Sequence, residues 1–391
     1  MMSVGPEQRR ARLAARHALA ASAGVPTPPE VTRKLVALHA TDSASVYLSA
    51  WARMPALRVA DFEHALYVER SMVRMLGMRR TVFVVPVELA PVVHAACTQV
   101  IAVRERRKLV QYLEEGGIAR DGDRWLTTVQ EETVGALAAR GEATAGELAG
   151  DVAGLREQLH FGAGKKWEGS VGVSTRVLSL LAAEGLIVRG RPRGSWLSTQ
   201  YRWAPMRAWL PGGLPELPVE AARAELVRQW LAAYGPGTPA DIAWWTGWTA
   251  TEVRKALAEV RTTEVDLGSA TGLMLCDEVE ELPPPRPWVA LLPALDPTVM
   301  GWTGRDWFLG EHRSTLFDRS GNAGPSVWCD GRVVGGWAQR RDGEIAIRLL
   351  EDVGADAASA VDDVAERLRV WLGGVRVTPR FRTPLERELS A

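Results

Sequence analysis

The sequence predicts a mainly helical α+β protein: three tandem winged-helix (helix-turn-helix) units followed by a small β-rich C-terminal domain. Two observations predict it. A helix–helix–hairpin outline occurs three times along the 391 residues, and from about Trp288 the pattern changes to strand-like segments. The length suits two or three domain-sized units, each with its own core. The expected divisions are 1–120, 121–215, 216–285 and 286–391.

In the first unit, EVTRKLVALHA (30–40) places Val31, Leu35 and Leu38 at helical spacing. Asp42 and Ser43 are start signals for a second helix through Tyr47, Leu48 and Trp51. MRRTVFVV (78–85) is β-branched and aromatic, a strand or hairpin ending at Pro86, and a further helical stretch runs from there to about Glu115. The second unit reads as two short helices within 129–155, with a turn at Thr144 and Ala145. An amphipathic helix, STRVLSLLAAE (174–184), follows and is stopped by Gly185. A hairpin over 186–203, turning in RPRGS, is its wing. The third unit holds ARAELVRQWLAAYG, closed by Gly235 and Pro236, then ADIAWWTG and ATEVRKALAEV, started by Thr238 and Thr249. WVALLPAL, RVVGGWAQR and GEIAIRLLE are the strands of the last domain, with one late helix over 355–372.

Composition is that of an ordinary globular chain, 47% hydrophobic and 24% charged. No stretch approaches about 20 consecutive apolar residues, so no membrane partner is expected. The N-terminus interleaves arginine with alanine and lacks a signal-peptide apolar segment, which implies a cytoplasmic location. Cys97, Cys276 and Cys329 are widely separated, so neither a disulfide framework nor a metal site is expected, and no cofactor is implied.

The global charge balances, 47 Lys and Arg against 47 Asp and Glu. Locally it does not. Residues 161–210 carry eight cations (Lys165, Lys166, Arg176, Arg189, Arg191, Arg193, Arg202 and Arg207) against Glu168 and Glu184. This excess coincides with the second unit's last helix and wing, as expected where DNA phosphates are contacted. The competing reading is a solvated, arginine-rich hairpin. Arg191, Pro192, Arg193 and Gly194 make a basic tip suited to a minor groove. Trp196 and Trp203 read as packing residues of the hairpin rather than base-stacking platforms.

Five segments together resemble one family: LVALHATDSASVYLSAWAR (35–53), MRRTVFVVP (78–86), GPGTPADIAWWTGWTATEVRKAL (235–257), LLPALDPTVMGW (291–302) and GRVVGGWAQRRDGEIAIRLLEDVG (331–354). They are similar to the winged-helix DNA glycosylases of the AlkZ/YcaQ type, in order and over nearly the whole chain. The resemblance implies three winged helices lining a concave DNA surface and a β-barrel-like end domain. It also implies excision of bulky or alkylated bases from duplex DNA, or unhooking of crosslinks, and three winged-helix copies in one chain argue for a monomer. That family's motif is Gln-Φ-Gln or Gln-Φ-Asp, Φ being apolar. The matching stretch here is His39-Ala40-Thr41, which keeps the apolar centre and departs at both flanks.

An N7-alkylated purine leaves with its positive charge already in place, so the site must hold the lesion, stabilise an oxocarbenium-like sugar and place a water. His39 has an imidazole nitrogen for that water and near pH 7 a capacity to accept its proton. Thr41 offers a hydroxyl, and Asp42 a carboxylate to orient His39 or stabilise positive charge. The plainer alternatives are that Thr41 or Asp42 caps the following helix and that His39 is a packed core histidine. A non-catalytic DNA-binding protein, a regulator or lesion binder, is the rival function. No Gly-x-Ser-x-Gly elbow is present, and GAGKKWEG lacks the spacing of a phosphate loop.

Overall fold

The computed structural model describes residues 1–20, 25–54, 56–161 and 169–391. It is a mixed helix and sheet structure, as expected of an α+β chain.

The N-terminal region differs from expectation at one consequential place. The first predicted helix stops at Lys34 instead of running to Ala40. Val36 takes a left-handed backbone (φ 63), which no helix accommodates, and Leu38–His39 instead forms a short edge strand. That strand pairs antiparallel with Val82–Pro86, placing Leu38 opposite Val84 and His39 opposite Phe83. Val82–Pro86 pairs in turn with Met72–Leu76, completing a three-stranded sheet. Helix Ser43–Trp51 begins as read, with Asp42 as its N-cap accepting from the Ala44 amide at 3.0 Å. The helical run Val87–Glu115 has the length and mean hydropathy of a bilayer span, yet it packs inside the protein against helices Val219–Tyr234 and Val173–Ala183.

In the second stretch, a single long helix, Gly122–Arg140, replaces the first of the two short ones, and a capping box of Thr144 and Glu147 starts Ala145–Asp151. Helix Val173–Ala183 and the hairpin Ile187–Pro192/Tyr201–Pro205 follow. This hairpin lies against strand Met72–Leu76 of the N-terminal sheet. Trp196 and Trp203 are both buried in packing, Trp196 between Tyr47 and Trp371.

Further on, helices Pro239–Thr246 and Ala250–Ala258 are started by capping boxes, Thr238 with Asp241 and Thr249 with Glu252. Gly247, at φ 80, closes the first of them. The hairpin Thr262–Asp266/Thr271–Leu275 gains a third strand with no signal in the local sequence, Met2–Ser3, parallel to Thr262–Asp266. Four antiparallel strands form a meander at the C-terminal end: Val289–Leu292, Ser326–Cys329, Arg332–Gln339 and Ile345–Leu349. Helix Ala355–Leu372 packs on the first of these strands and Pro384–Leu389 on the third.

One hydrophobic core runs through the N-terminal, third and C-terminal regions, while residues 102–203 gather a second around Leu126, Leu148 and Val177. At the centre of the larger core is a fully buried ion pair. Arg53 donates to both oxygens of Asp296, at 3.0 and 2.9 Å, and to Thr298 Oγ1 at 2.7 Å. Its Nε donates to the His17 carbonyl at 2.9 Å. Asp296 also accepts from Ser49 Oγ at 2.7 Å and the Thr298 amide at 2.9 Å. His17 joins the network through Thr298 Oγ1 (2.8 Å) and the Ala233 carbonyl (3.1 Å).

Removing one partner strands the other charge, which costs about 3–5 kcal/mol in buried pairs. Asp296→Ala should therefore lower unfolding free energy by about that much, whereas Arg53→Met combined with Asp296→Leu should cost clearly less. Denaturant titration of the three proteins checks this. Equal losses in the single and double variants would mean that packing, not charge, sets the cost.

Candidate active site

His39 and Thr41 sit where an edge strand turns into a capped helix. The Ala40 amide donates to the Val82 carbonyl at 2.8 Å, extending the strand pairing past His39. The Asp42 cap then fixes the exit. The imidazole packs against Phe83 at a centroid distance of 4.9 Å and is only 5% exposed. Its Nδ1 is buried without a hydrogen-bond partner, and so is Thr41 Oγ1. Both atoms therefore keep hydrogen-bonding capacity available to a water or a ligand.

Burial, and secondly the nearby Arg79 charge, push the His39 pKa down to about 3. The ring is therefore neutral at pH 7 and a weak base. This removes the proton-accepting part of its expected role near neutral pH and leaves hydrogen bonding to water or ligand.

Asp42 is fully engaged. Beyond Ala44, it accepts from the Arg380 amide at 2.9 Å, and Arg380 also donates to the Thr41 carbonyl at 3.4 Å. No hydrogen bond joins Asp42 to His39 among the described residues. The Ala40 carbonyl accepts from Arg74 at 3.3 Å. Arg74 is itself buried, with its guanidinium over the Tyr201 ring at 5.0 Å. The Tyr201 hydroxyl shares a 2.9 Å hydrogen bond with Ser43 Oγ. Three distant pieces of chain, around residues 39–43, 201 and 380, thus close on one spot.

The basic segment is less free than its sequence suggested. Arg189 lies half-buried over Trp203 at 4.8 Å. Arg191 pairs with Glu63 at 2.5 Å and covers Tyr67. Arg202 lies 3.5 and 3.7 Å from Glu142 and Glu147. Arg176 is half-buried in a hollow between helices Gln99–Glu115 and Val173–Ala183, and Arg193 is exposed. Lys165 and Lys166 lie outside the described residues. Sequence reading missed Arg74, Tyr201 and Arg380 as neighbours of the motif. Arg79 stood in a motif already singled out, and its charge was the available signal.

In overall structure the chain is similar to the Streptomyces sahachiroi DNA glycosylase AlkZ, with a TM-score of 0.73 at 21% identity over 97% of this chain and 99% of that one. The likeness establishes the fold. The family model for DNA glycosylase AlkZ-like proteins matches residues 32–371, and the chain belongs to that family. No curated protein matches it in sequence.

His17 and His39 both have pKa values near 3, well below the ordinary 6.5, with burial the leading cause. Their contributions to stability are complete above about pH 6.5 and are lost progressively as the pH falls toward about 3. Each should cost about 1.4 kcal/mol per pH unit over that window. Unfolding titrations from about pH 7.5 to about pH 4.5 should show the decline, and His39→Gln should make it shallower by one histidine's share. An unchanged slope in that variant would show His39 protonating freely in the native state.

Proposed function

We propose that this protein is a metal-independent DNA glycosylase acting on duplex DNA, with an N7-alkylated purine or a bulky or cross-linked base as its substrate. The observation that carries the reading is family membership over residues 32–371, joined to the unpartnered His39 Nδ1 and Thr41 Oγ1 at the motif position. The three helix–helix–hairpin units are read as winged helices and the C-terminal meander as part of a small barrel. Duplex contact is assigned to Arg176, Arg193, Lys165 and Lys166, with Arg189, Arg191 and Arg202 supporting the wing.

In the proposed reaction the bond from the sugar C1′ to the base nitrogen breaks, and the base keeps the electron pair. Its positive charge makes it a good leaving group, so neither an acid nor a metal is required. A water oxygen then bonds to C1′, and its proton passes to solvent. Neutral His39 accepts a hydrogen bond from that water and Thr41 steadies it, so both act by positioning. Asp42 supports them by holding the turn.

His39→Ala should slow base release by about 10²–10³-fold, the usual cost of removing a preorganised hydrogen-bonding group, with duplex affinity nearly unchanged. His39→Gln should retain more activity, because an amide oxygen can accept the same hydrogen bond. Thr41→Ala should lose less than His39→Ala. Incubation with an N7-alkylguanine duplex and detection of abasic sites measures all three. Release by His39→Ala at the parent rate would place the chemistry elsewhere. The near closure of His39 to solvent favours one second reading, a non-catalytic lesion binder. Salt-dependent duplex binding with no release from any lesion would select it.

A further inference from the structure

A second cluster of buried charge lies beside the motif, where Arg79 acts on His39. Arg79 and Arg305 are far apart in sequence, and both guanidinium groups rest on Trp244, 4.0 and 4.5 Å from its ring centroid. Neither forms an ion pair among the described residues. Arg79 Nε and Arg305 Nη2 are buried without partners, and Arg305 spends its Nε on the Val299 carbonyl. The nearby carboxylate, Asp241, is already committed. Its oxygens accept from the Thr303 and Gly304 amides and from the amide and hydroxyl of Thr238, all between 2.8 and 3.0 Å. A single arginine on tryptophan is an ordinary packing contact. Two like charges, Arg79 partly and Arg305 almost wholly withdrawn from water, oppose each other without an ion pair among the described residues, and they carry free donors that an anion would satisfy while also relieving the repulsion.

The placement is held firmly. Arg79 sits at φ 51 in the tight turn between strands Met72–Leu76 and Val82–Pro86. The turn packs on Gly247, where an added Cβ would meet Arg79 backbone and side chain at 3.4 Å. A left-handed arginine is retained where the surroundings fix it, a pattern concentrated at functional sites.

The pair is not isolated. Phe317 lies 5.2 Å from the Arg305 guanidinium and 5.8 Å from that of Arg313. Arg313 and Phe317 in turn line an open cleft of about 1240 Å³ that also presents Arg319, Arg380 and Arg387, with Glu311 and Asp318 as the acidic residues of the same lining. None of these four arginines forms an ion pair among the described residues, and Arg380 reaches the Thr41 carbonyl. A lone phosphate would need only one such group, whereas a row of cations leading to the motif matches a polyanion.

We propose that Arg79 and Arg305 on Trp244 form an anion site for a DNA backbone phosphate, and that the Arg313–Arg319–Arg380–Arg387 cleft carries the same strand past Thr41. This rests on DNA being the partner in the function proposed above, and it is independent of base release. The test is fluorescence anisotropy with an undamaged duplex across a range of salt, using the whole protein. Abolishing the protein's grip on one phosphate should reduce the slope of log affinity against log salt by about 0.9. R79Q/R305Q should flatten the slope by roughly that amount and weaken binding about tenfold or more at moderate salt. R313Q/R387Q changes only exposed side chains and should flatten the slope by about one to two times as much, so it decides the matter if the first variant does not fold. Unchanged slopes in the folded variants overturn the proposal. Inorganic phosphate at matched ionic strength should raise the parent's melting temperature more than that of R79Q/R305Q. Phosphate stabilisation with unchanged duplex slopes would identify a free-anion site and overturn the strand assignment. Base release from an alkylated duplex is scored separately, so its absence rejects the glycosylase reading without touching this result.

Discussion

The buried pair of Arg53 and Asp296 is the constraint on which the arrangement depends. It draws together the end of the first helix through His17, the helix carrying Ser49, the helix carrying Ala233 and the turn before Thr298. A charge pair in such a place is tolerable only when every lone pair and proton is used, and here they are. The neutral state of His17 is part of that accounting, since one ring nitrogen must accept while the other donates to Ala233. Two of the segments that carry the family resemblance, 35–53 and 291–302, meet in this pair. These two segments therefore have a structural part independent of any chemistry at His39.

The motif is held by a separate set of contacts. His39 is held by strand pairing, Asp42 by its cap, Ala40 by Arg74, and Thr41 with Asp42 by Arg380. The hairpin Met72–Leu76/Val82–Pro86 supplies both the pairing strand and Arg74, and Arg380 comes from near the far end of the chain. The geometry around His39 and Thr41 therefore depends on the hairpin strand bearing Tyr201 and on the C-terminal segment bearing Arg380. This also accounts for a carboxylate so close to the motif having a supporting part, because both Asp42 oxygens are already occupied.

Charge in the sequence and charge in space give different pictures. The arginine-rich 161–210 segment is partly neutralised by Glu63, Glu142 and Glu147 and partly folded onto aromatic rings. The N-terminal arginines likewise tie the chain together: Arg12 and Arg16 hold Glu278, and Arg10 holds the Trp307 carbonyl. Arginines without an ion pair among the described residues gather instead from positions 79, 305, 313, 319, 380 and 387, which lie far apart along the chain.

The sequence by itself determined what depends on neighbours along the chain. Capping pairs such as Thr238 with Asp241, the Asp42 start, the hairpin strands after Gly185 and the strand-rich end all follow from local propensity and period. It also located His39-Ala40-Thr41, through the resemblance. Local pattern failed at Val36, where apolar spacing suits a helix but pairing with Val84 and Phe83 pulls the chain into a strand. It failed again at Met2–Ser3, whose partner strand lies at the far end of the third unit. Tertiary structure alone decided that His39 is neutral, that Arg74 and Tyr201 brace the motif, and which arginines remain without partners. The reason is common to all three. Burial and charge pairing are set by residues distant in sequence, and the free energy of an ionised group depends on those neighbours more than on its own identity.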